Sequence, residues 1–468
     1  AGKYYLVDCG MEQGADIFEN VPIPVNPGTI EAVFLTHAHI DHSGMLPKLY
    51  KDGFRGQVYA TEVTCSLCSV MLRDSANIQT LEAEWRSRKA QRAGEKPEPP
   101  VYTLEDAIGV CKLFHPCHYG KQYPIAEGLQ IRFTDIGHLL GSACIEVWLQ
   151  DERAQKKIVF SGDLGNIDRP LIRDPQTPPS ADFVVIESTY GDRLHGERPD
   201  YVNQLTEIIQ ETFDRGGNLV IPAFAVGRTQ ELLYLIRTIK DKGLIRGHES
   251  FPVYVDSPLA VEATRIYADD DAMKPYYDAE TLELLEKGIN PIAFPGLRTS
   301  VTSADSKAIN FDNTPKIILS ASGMCEAGRI RHHLKHNLWR DESTILFVGY
   351  QSEGTVGRRL IDGAETVRLF GEEITVEAHI ESLSGISGHA DRDQMLSWLA
   401  SMPQKPRQVF VNHGDDQVTD RFAETIEKTL AIPSAAPYSG DGYDLLTGQC
   451  IARGRIVRAT RLTDGRRR

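Results

Sequence analysis

Five short apolar runs in the first 190 residues end on a carboxylate or a histidine, and that repeated ending constrains the fold more than any other feature. KYYLVD ends at Asp8, AVFLTHAH at a histidine cluster, QIRFTDIGH at His138 and KIVFSGD at Asp163, while FVVIEST carries Glu187 at its last apolar step. Turn-rich or helical segments separate the runs. Strands alternating with helices predict an α/β sandwich. In such sheets reactive side chains gather at one rim, on the loops that leave the strands. Five runs with a common ending therefore predict one site assembled from distant segments.

The second run leads into FLTHAHIDHSG, residues 34–44, where His37, His39, Asp41 and His42 fall within six positions. A histidine-rich polar turn is the bland alternative, but the chain holds 14 histidines in 468 residues and such crowding is not expected by chance. Imidazoles and carboxylates without cysteine suit Zn2+ or a similar divalent ion in a catalytic site. The spacing lets His37 and His39 point the same way from a strand end, with Asp41 and His42 following the turn into the helix HSGMLPKLY. One ion cannot use all four groups. Two are expected, sharing a carboxylate and a bridging hydroxide at a separation of roughly 3.5–4 Å.

At 468 residues, two or more domains are expected. Composition, 41% hydrophobic and 25% charged, is that of a soluble globular protein. No apolar run approaches the roughly 18 residues of a membrane span, and AGKYYLVDCG has neither the basic region nor the apolar core of a signal peptide. The eight cysteines are scattered, which does not suggest a disulfide framework and favours a reducing cytoplasm. Cys65 and Cys68 lack a second metal-type pair and read as two small residues on one helical face. The net charge of −14 argues against a generally basic nucleic-acid coat but leaves room for a local basic groove. GRIRHHLKH (328–336) and the tail from 451 concentrate positive charge. His332, His333 and His336 are expected on a basic solvated face rather than around a metal, and the tail is expected to be solvated. Residues 81–100 read as an exposed helix and loop.

From 200 to about 345 a second α/β pattern follows, with GGNLVIPAFAVGRTQELLYLI reading strand, turn, helix and with FPVYVDSPLA and PKIILSASGM reading as strands followed by loops. Arg228 in VGRTQ suits a phosphate contact or an ion pair at a helix start equally well. Histidines return in SGISGHAD, with His389, and QVFVNHGDD, with His413.

HAHIDH, with Asp8 upstream, His138 in GHLLGSA and Asp163 in FSGDLG, resembles the metallo-β-lactamase fold. Glu187 in IESTYG, His389 in SGHAD and His413 in NHGD resemble the additional motifs of the β-CASP nucleases, as do PAFAVGRTQELL and SASGMCEAGR. The resemblance implies a metallo-β-lactamase αβ/βα sandwich (1–191 and 381–445) interrupted by an inserted α/β β-CASP domain (192–380), with a basic tail over 446–468. It assigns His37, His39 and His138 to one metal, Asp41, His42 and His413 to the other, and Asp163 to a bridge between them. It places Asp8 behind a ligand histidine and has Glu187 and His389 act on the leaving group. Arg228, Ser322 and Gly323 become candidates for substrate binding. Two departures stand out: the strands that usually precede LVDCG are absent or removed here, and Asp415 replaces the glutamate of a usual His-Gly-Glu motif.

The function implied is hydrolysis of RNA by a metal-bridging hydroxide, leaving 5′-phosphate and 3′-hydroxyl ends. Two Zn2+ ions, or Mn2+ in their place, serve as cofactors, single-stranded RNA is the partner, and a homodimer is a candidate assembly. A same-fold hydrolase acting on DNA or on a small thioester or ester is the rival. It explains HAHIDH but leaves Glu187, His389 and the inserted domain without a task. A non-enzymatic subunit with a dead site would show broken ligand motifs, and all seven expected ligands are present.

Overall fold

The computed structural model describes residues 2–12, 23–94, 96–97, 99–196, 199–383 and 385–454. The chain divides into two units. One comprises Ala1–Ile167, Asp174–Leu194 and His389–Arg468, and the other Asp168–Arg173 and His195–Gly388. Most of the expected basic tail, from residue 455 on, lies outside the described residues; just before it, Cys450–Ala452 pairs antiparallel with Gly442–Tyr443. No described helix is long and apolar enough to cross a membrane.

The first unit supplies β1 (Tyr4–Val7), β2 (Ile30–Phe34), β3 (Gln57–Thr61), β4 (Phe114–Cys117), β5 (Gln122–Ala126), β6 (Leu129–Asp135), β7 (Ala143–Gln150), β8 (Gln155–Phe160) and β9 (Phe183–Ile186). The second supplies β10 (Leu219–Pro222), β11 (Val253–Val255), β12 (Leu297–Thr299), β13 (Ile317–Ser320), β14 (Thr344–Phe347) and β15 (His379–Ser382). The chain then returns to the first unit for β16 (Gln408–Val411) and β17 (Ser434–Ala435).

Among the described residues, β1 to β4 form a four-stranded parallel sheet, and a seven-stranded mixed sheet runs in the order β17-β16-β9-β8-β7-β6-β5. In β6, Leu129, Ile131 and Phe133 alternate with more exposed residues, the period of a strand with one buried face. Those side chains meet Ala32 and Phe34 of β2, Ile145 of β7, Phe183 of β9 and Phe410 of β16 in the layer between the sheets. The other face of the larger sheet is covered by the helices Arg392–Ala400 and Asp416–Leu430. Phe422, Ala423 and Ile426 sit on one face of the latter and join Met395, Leu399, Val184 and Ile186 in a second core. Burying each such large side chain stabilises the unit by about 1.5–3 kcal/mol. The helix Glu62–Ala93 packs on β3 and β4 through Val63, Leu67 and Leu72. The result is the expected αβ/βα sandwich.

The second unit is built on a six-stranded parallel sheet in the order β12-β11-β13-β10-β14-β15. Its central strands LVIP, IILS and TILF are buried at every position, as parallel strands covered on both faces require. The helix Arg228–Asp241 follows β10, the strand-turn-helix order expected from the sequence.

Candidate metal centre

In the first unit the chemistry-bearing side chains stand just past strand ends. Asp8 follows β1, His37 stands three residues beyond β2, Asp163 follows β8 by three residues, Glu187 follows β9 directly, and His413 lies two residues beyond β16. Asp41 and His42 sit in a single helical turn, Ile40–Ser43. The backbone is left-handed at Asp8 (φ 61°) and at His413 (φ 48°), a conformation that costs a non-glycine residue on the order of 1–3 kcal/mol. Hydrogen bonds hold both turns: Asp8 N donates to Phe34 O at 2.9 Å, and Ser188 N donates to His413 O at 3.0 Å. Glycine is required where loops close on one another. A Cβ at Gly10 would lie 1.6 Å from Asp41 O, and one at Gly165 would lie 1.9 Å from Gly137 O.

Two groups of ligating atoms result, each with members within 4.8 Å of one another: His37, His39, His138 and Asp163, and then Asp41, His42 and His413. A third grouping, Asp163, Glu187 and His413, meets the same criterion. His39 Nδ1 lies 3.1 Å from His37 Nε2 and 3.2 Å from His138 Nε2. In the second group His42 Nε2 and His413 Nε2 are 3.1 Å apart, and His413 Nε2 is 3.5 Å from Asp41 Oδ2. Asp163 faces both groups with different oxygens. Its Oδ2 lies 3.3 Å from His37 Nε2 and 3.4 Å from His138 Nε2, and its Oδ1 lies 3.0 Å from His42 Nε2 and 3.5 Å from His413 Nδ1.

These residues fit zinc. Ligands about 2.0–2.1 Å from a tetrahedral ion stand about 3.3 Å from each other, the spacing found here. Asp163 Oδ1 is buried and accepts no hydrogen bond, although two imidazoles face it. An orphaned buried carboxylate oxygen is costly unless it has a cation.

Electrostatics separates the groups. Burial, helped by neighbouring imidazoles, holds His37 and His138 below the usual histidine range and lowers His39 to about 3, so these three present lone pairs. Burial also opposes the charge on His42 and His413, but carboxylates outweigh it. Asp163 and Asp8 hold His42 well above the usual range, and Asp163 and Asp41 raise His413 to about 9. Asp163 is held well below the carboxylate range against its own burial, chiefly by His413 and His42. Positive charge is what the cluster requires.

Supporting contacts surround it. Asp8 Oδ2 lies 2.7 Å from His42 Nδ1, fixing that ring with Nε2 toward Asp163. Thr36 in turn holds Asp8, its N donating to Oδ1 at 2.7 Å and its hydroxyl to Oδ2 at 2.8 Å. Thr36 escapes a reading for ligands, although its place directly before His37 was the available signal. His389 Nδ1 lies 3.1 Å from both oxygens of Glu187, and Leu164 N donates to Glu187 Oε1 at 2.5 Å. Burial opposes a proton on His389, and the Glu187 and Asp163 charges override it and raise its pKa. Ala390 N donates to Leu164 O at 2.7 Å, so one residue ties Asp163, Glu187 and His389 together.

Arg228, Ser322 and Gly323 lie in the second unit. Arg228 opens its helix and donates to Glu231 at 2.6 Å and to Ile386 O at 2.7 Å, and Arg169 also pairs with Glu231. Ser322 Oγ donates to Ala327 O at 3.2 Å, and Gly323 O accepts from Gln351 at 3.0 Å. One expectation needs correction. His332 is exposed, but His333 is fully buried, with Nε2 2.6 Å from Asp256 Oδ2 and Nδ1 2.8 Å from Asn310 Oδ1. The helix Ile330–Asn337 therefore turns one of its three histidines inward, onto a carboxylate 77 positions earlier.

Comparison with known proteins agrees with this chemistry. Residues 1–101 match the metallo-beta-lactamase superfamily, residues 229–360 the Beta-Casp domain, and residues 373–437 the Zn-dependent metallo-hydrolase RNA specificity domain. The chain is 36% identical over 419 residues to ribonuclease TTHA0252 of Thermus thermophilus, covering 89% of each protein. It is 32% identical over 440 residues to an RNase J-like protein of Methanocaldococcus jannaschii, covering 93% of this chain and 92% of that one. It is 30% identical over 447 residues to transcription termination factor FttA of Methanosarcina mazei, covering 92% of this chain and 66% of FttA.

Proposed function

Because the chain belongs to the metallo-β-lactamase superfamily group that carries β-CASP and RNA-specificity domains, and is thus a zinc-dependent metallo-hydrolase, we propose that it hydrolyses single-stranded RNA to 5′-phosphate and 3′-hydroxyl ends. The observation that carries this reading is the Glu187–His389 pair set against Asp163, with His389 Nδ1 4.0 Å from Asp163 Oδ2. A thioester or lactam has no use for that pair, whereas a phosphodiester needs its departing alkoxide protonated. Similarity to proteins named ribonuclease and RNase J-like supports the same substrate.

In this reading His37, His39 and His138 would hold one zinc ion and Asp41, His42 and His413 a second, with Asp163 facing both groups. When bound, zinc would supply acidified water, its pKa lowered from 15.7 to about 7, so that hydroxide is available at neutral pH, together with positive charge for the phosphoryl oxygens. Asp8 and Thr36 hold the His42 ring in place. Glu187 engages His389 at Nδ1, and His389 is the group that would deliver a proton to the departing 3′ oxygen. Departure of that oxygen leaves the phosphate on the downstream fragment.

The test is incubation of zinc-loaded protein with 5′-labelled single-stranded RNA, double-stranded RNA and DNA, together with a small thioester, and with end-group analysis of the products. Preferential cleavage of single-stranded RNA to 5′-phosphate ends is expected. Products with 2′,3′-cyclic phosphate would exclude hydrolysis of this kind, and thioester cleavage without RNA cleavage would assign the chain to the rival class.

A further inference from the structure

The helix Glu62–Ala93 runs for 32 residues, more than its own unit covers. Its first half is buried through Val63, Leu67, Cys68, Leu72 and Ala76. Beyond that point Ile78, Leu81 and Trp85 are 48%, 64% and 57% exposed. They stand at i, i+3 and i+7, one stripe of a helix. The same face continues into Arg88, Lys89 and Arg92, with Arg86 at its edge. None of these four cations pairs with a carboxylate among the described residues, and Lys89 Nζ lies 5.6 Å from the centre of the Trp85 ring. Glu82 and Glu84 precede the group, and no acid lies among residues 85–93. In a chain of net charge −14 this is a local reversal of sign.

The other end of the helix is tied to the metal centre. Thr61 caps it, and the Thr61 and Thr64 hydroxyls donate to Gly141 O at 2.6 and 3.0 Å, three residues beyond His138. At 1.5 Å per residue Trp85 stands about 35 Å along the axis from Glu62. Exposed aromatic area beside unpaired cations is how proteins bind single-stranded nucleic acid: a base stacks on the ring and phosphates meet the charges.

We propose that the outer half of this helix is an RNA-binding arm, with Trp85 as a stacking platform and Arg86, Arg88, Lys89 and Arg92 as phosphate contacts, engaging substrate remote from the bond that is cut. This rests on the RNA reading above and adds a second point of attachment. Only a long strand reaches both the arm and the metal centre, so the arm favours long RNA over short.

The test measures binding of a fluorescent long single-stranded RNA and of a trinucleotide to zinc-loaded His389→Ala protein, in which cleavage is slow enough for binding to be read first, with and without the arm variants. Trp85→Ala is expected to weaken long-RNA binding about 10-fold. Replacing all four cations by Gln is expected to reduce the slope of log affinity against log salt by about 3. The trinucleotide should bind all forms alike. The positions are exposed, so unchanged thermal melts should accompany these effects. Arm variants that match the parent on long RNA would overturn the arm while leaving the RNA reading intact, whereas a parent that binds no RNA would overturn both. If Trp85→Ala instead abolishes self-association in sedimentation without changing RNA affinity, the stripe is a contact between copies and the proposal is wrong.

Discussion

Each unit contains a buried cluster of histidine and carboxylate, and the two are wired differently. In the first unit His39 turns Nδ1 toward the Nε2 atoms of His37 and His138, and Asp163 Oδ1 accepts no hydrogen bond. In the second, Asp256 Oδ1 takes Arg329 at 2.7 Å, Oδ2 takes Ser306 at 2.5 Å and His333 at 2.6 Å, and the other nitrogen of His333 meets Asn310. The second cluster is complete in itself and acts as a structural brace. The first keeps a buried carboxylate oxygen without a hydrogen bond, and its nitrogen and oxygen atoms stand at the spacing of ligands around a metal ion. Residue types alone do not separate a brace from a binding site; satisfied and unsatisfied atoms do.

Asp163→Ala should give the largest effect. It removes a carboxylate that faces both histidine groups, so elemental analysis should show zinc content falling and RNA cleavage should disappear with it. Unchanged zinc content in this variant would undo the contrast between the clusters. His389→Ala should slow cleavage by about 10²–10⁴ while zinc stays bound, the usual worth of a positioned proton donor; loss of an ion here would make His389 a ligand.

The brace should respond in the opposite manner. Asp256→Ala leaves Arg329 and His333 without their partner and should cost about 3–5 kcal/mol of stability in denaturant titration, with zinc content unaltered. Asp8→Asn probes the support behind His42 and should weaken zinc affinity about 10- to 100-fold in competition with a chelator.

The smallest effect concerns acid. Burial opposes the charge on Asp256, but hydrogen bonds from His333, Ser306 and Arg329 outweigh it and hold the carboxyl well below the usual range. A depressed carboxyl adds stability that is complete above its unfolded value, about 4, and is lost as pH falls toward the folded value. The stability difference between wild type and Asp256→Asn should therefore be widest near neutrality and narrow as pH drops below about 4, measured by thermal melts of the zinc-free proteins.

Much of the first cluster was legible in the sequence, because its residues sit at strand ends and strand ends are marked by where an apolar run stops. The runs before Asp8, His37, His138, Asp163 and Glu187 are all strands, and the sandwich follows from their alternation with helices. Thr36 was not legible as a support, since a threonine inside a metal motif has no signature until its hydrogen bonds to Asp8 are seen. The brace was hidden for another reason. Helical periodicity shows that His332 and His333 point different ways, but what lies opposite His333 is set by the order of β11 and β13 in the sheet, and Asp256 is brought there by strand pairing. Arg228 was ambiguous because its ion pair with Glu231 is local, whereas its second acceptor, Ile386 O, lies 158 positions away.

The place of β16 has a consequence for how the molecule is made. That strand pairs with β9 although 221 residues separate the end of one from the start of the other, and it delivers His413 to ligands that begin at His37. Synthesis proceeds from the N-terminus at about 5–20 residues per second, so the flank of β9 stays open for tens of seconds. The sheet of the second unit draws only on residues 219–382 and can close during that interval. A nascent chain that has not yet reached His413 therefore lacks the full set of candidate ligands, and it acquires them only after the whole second unit has been made.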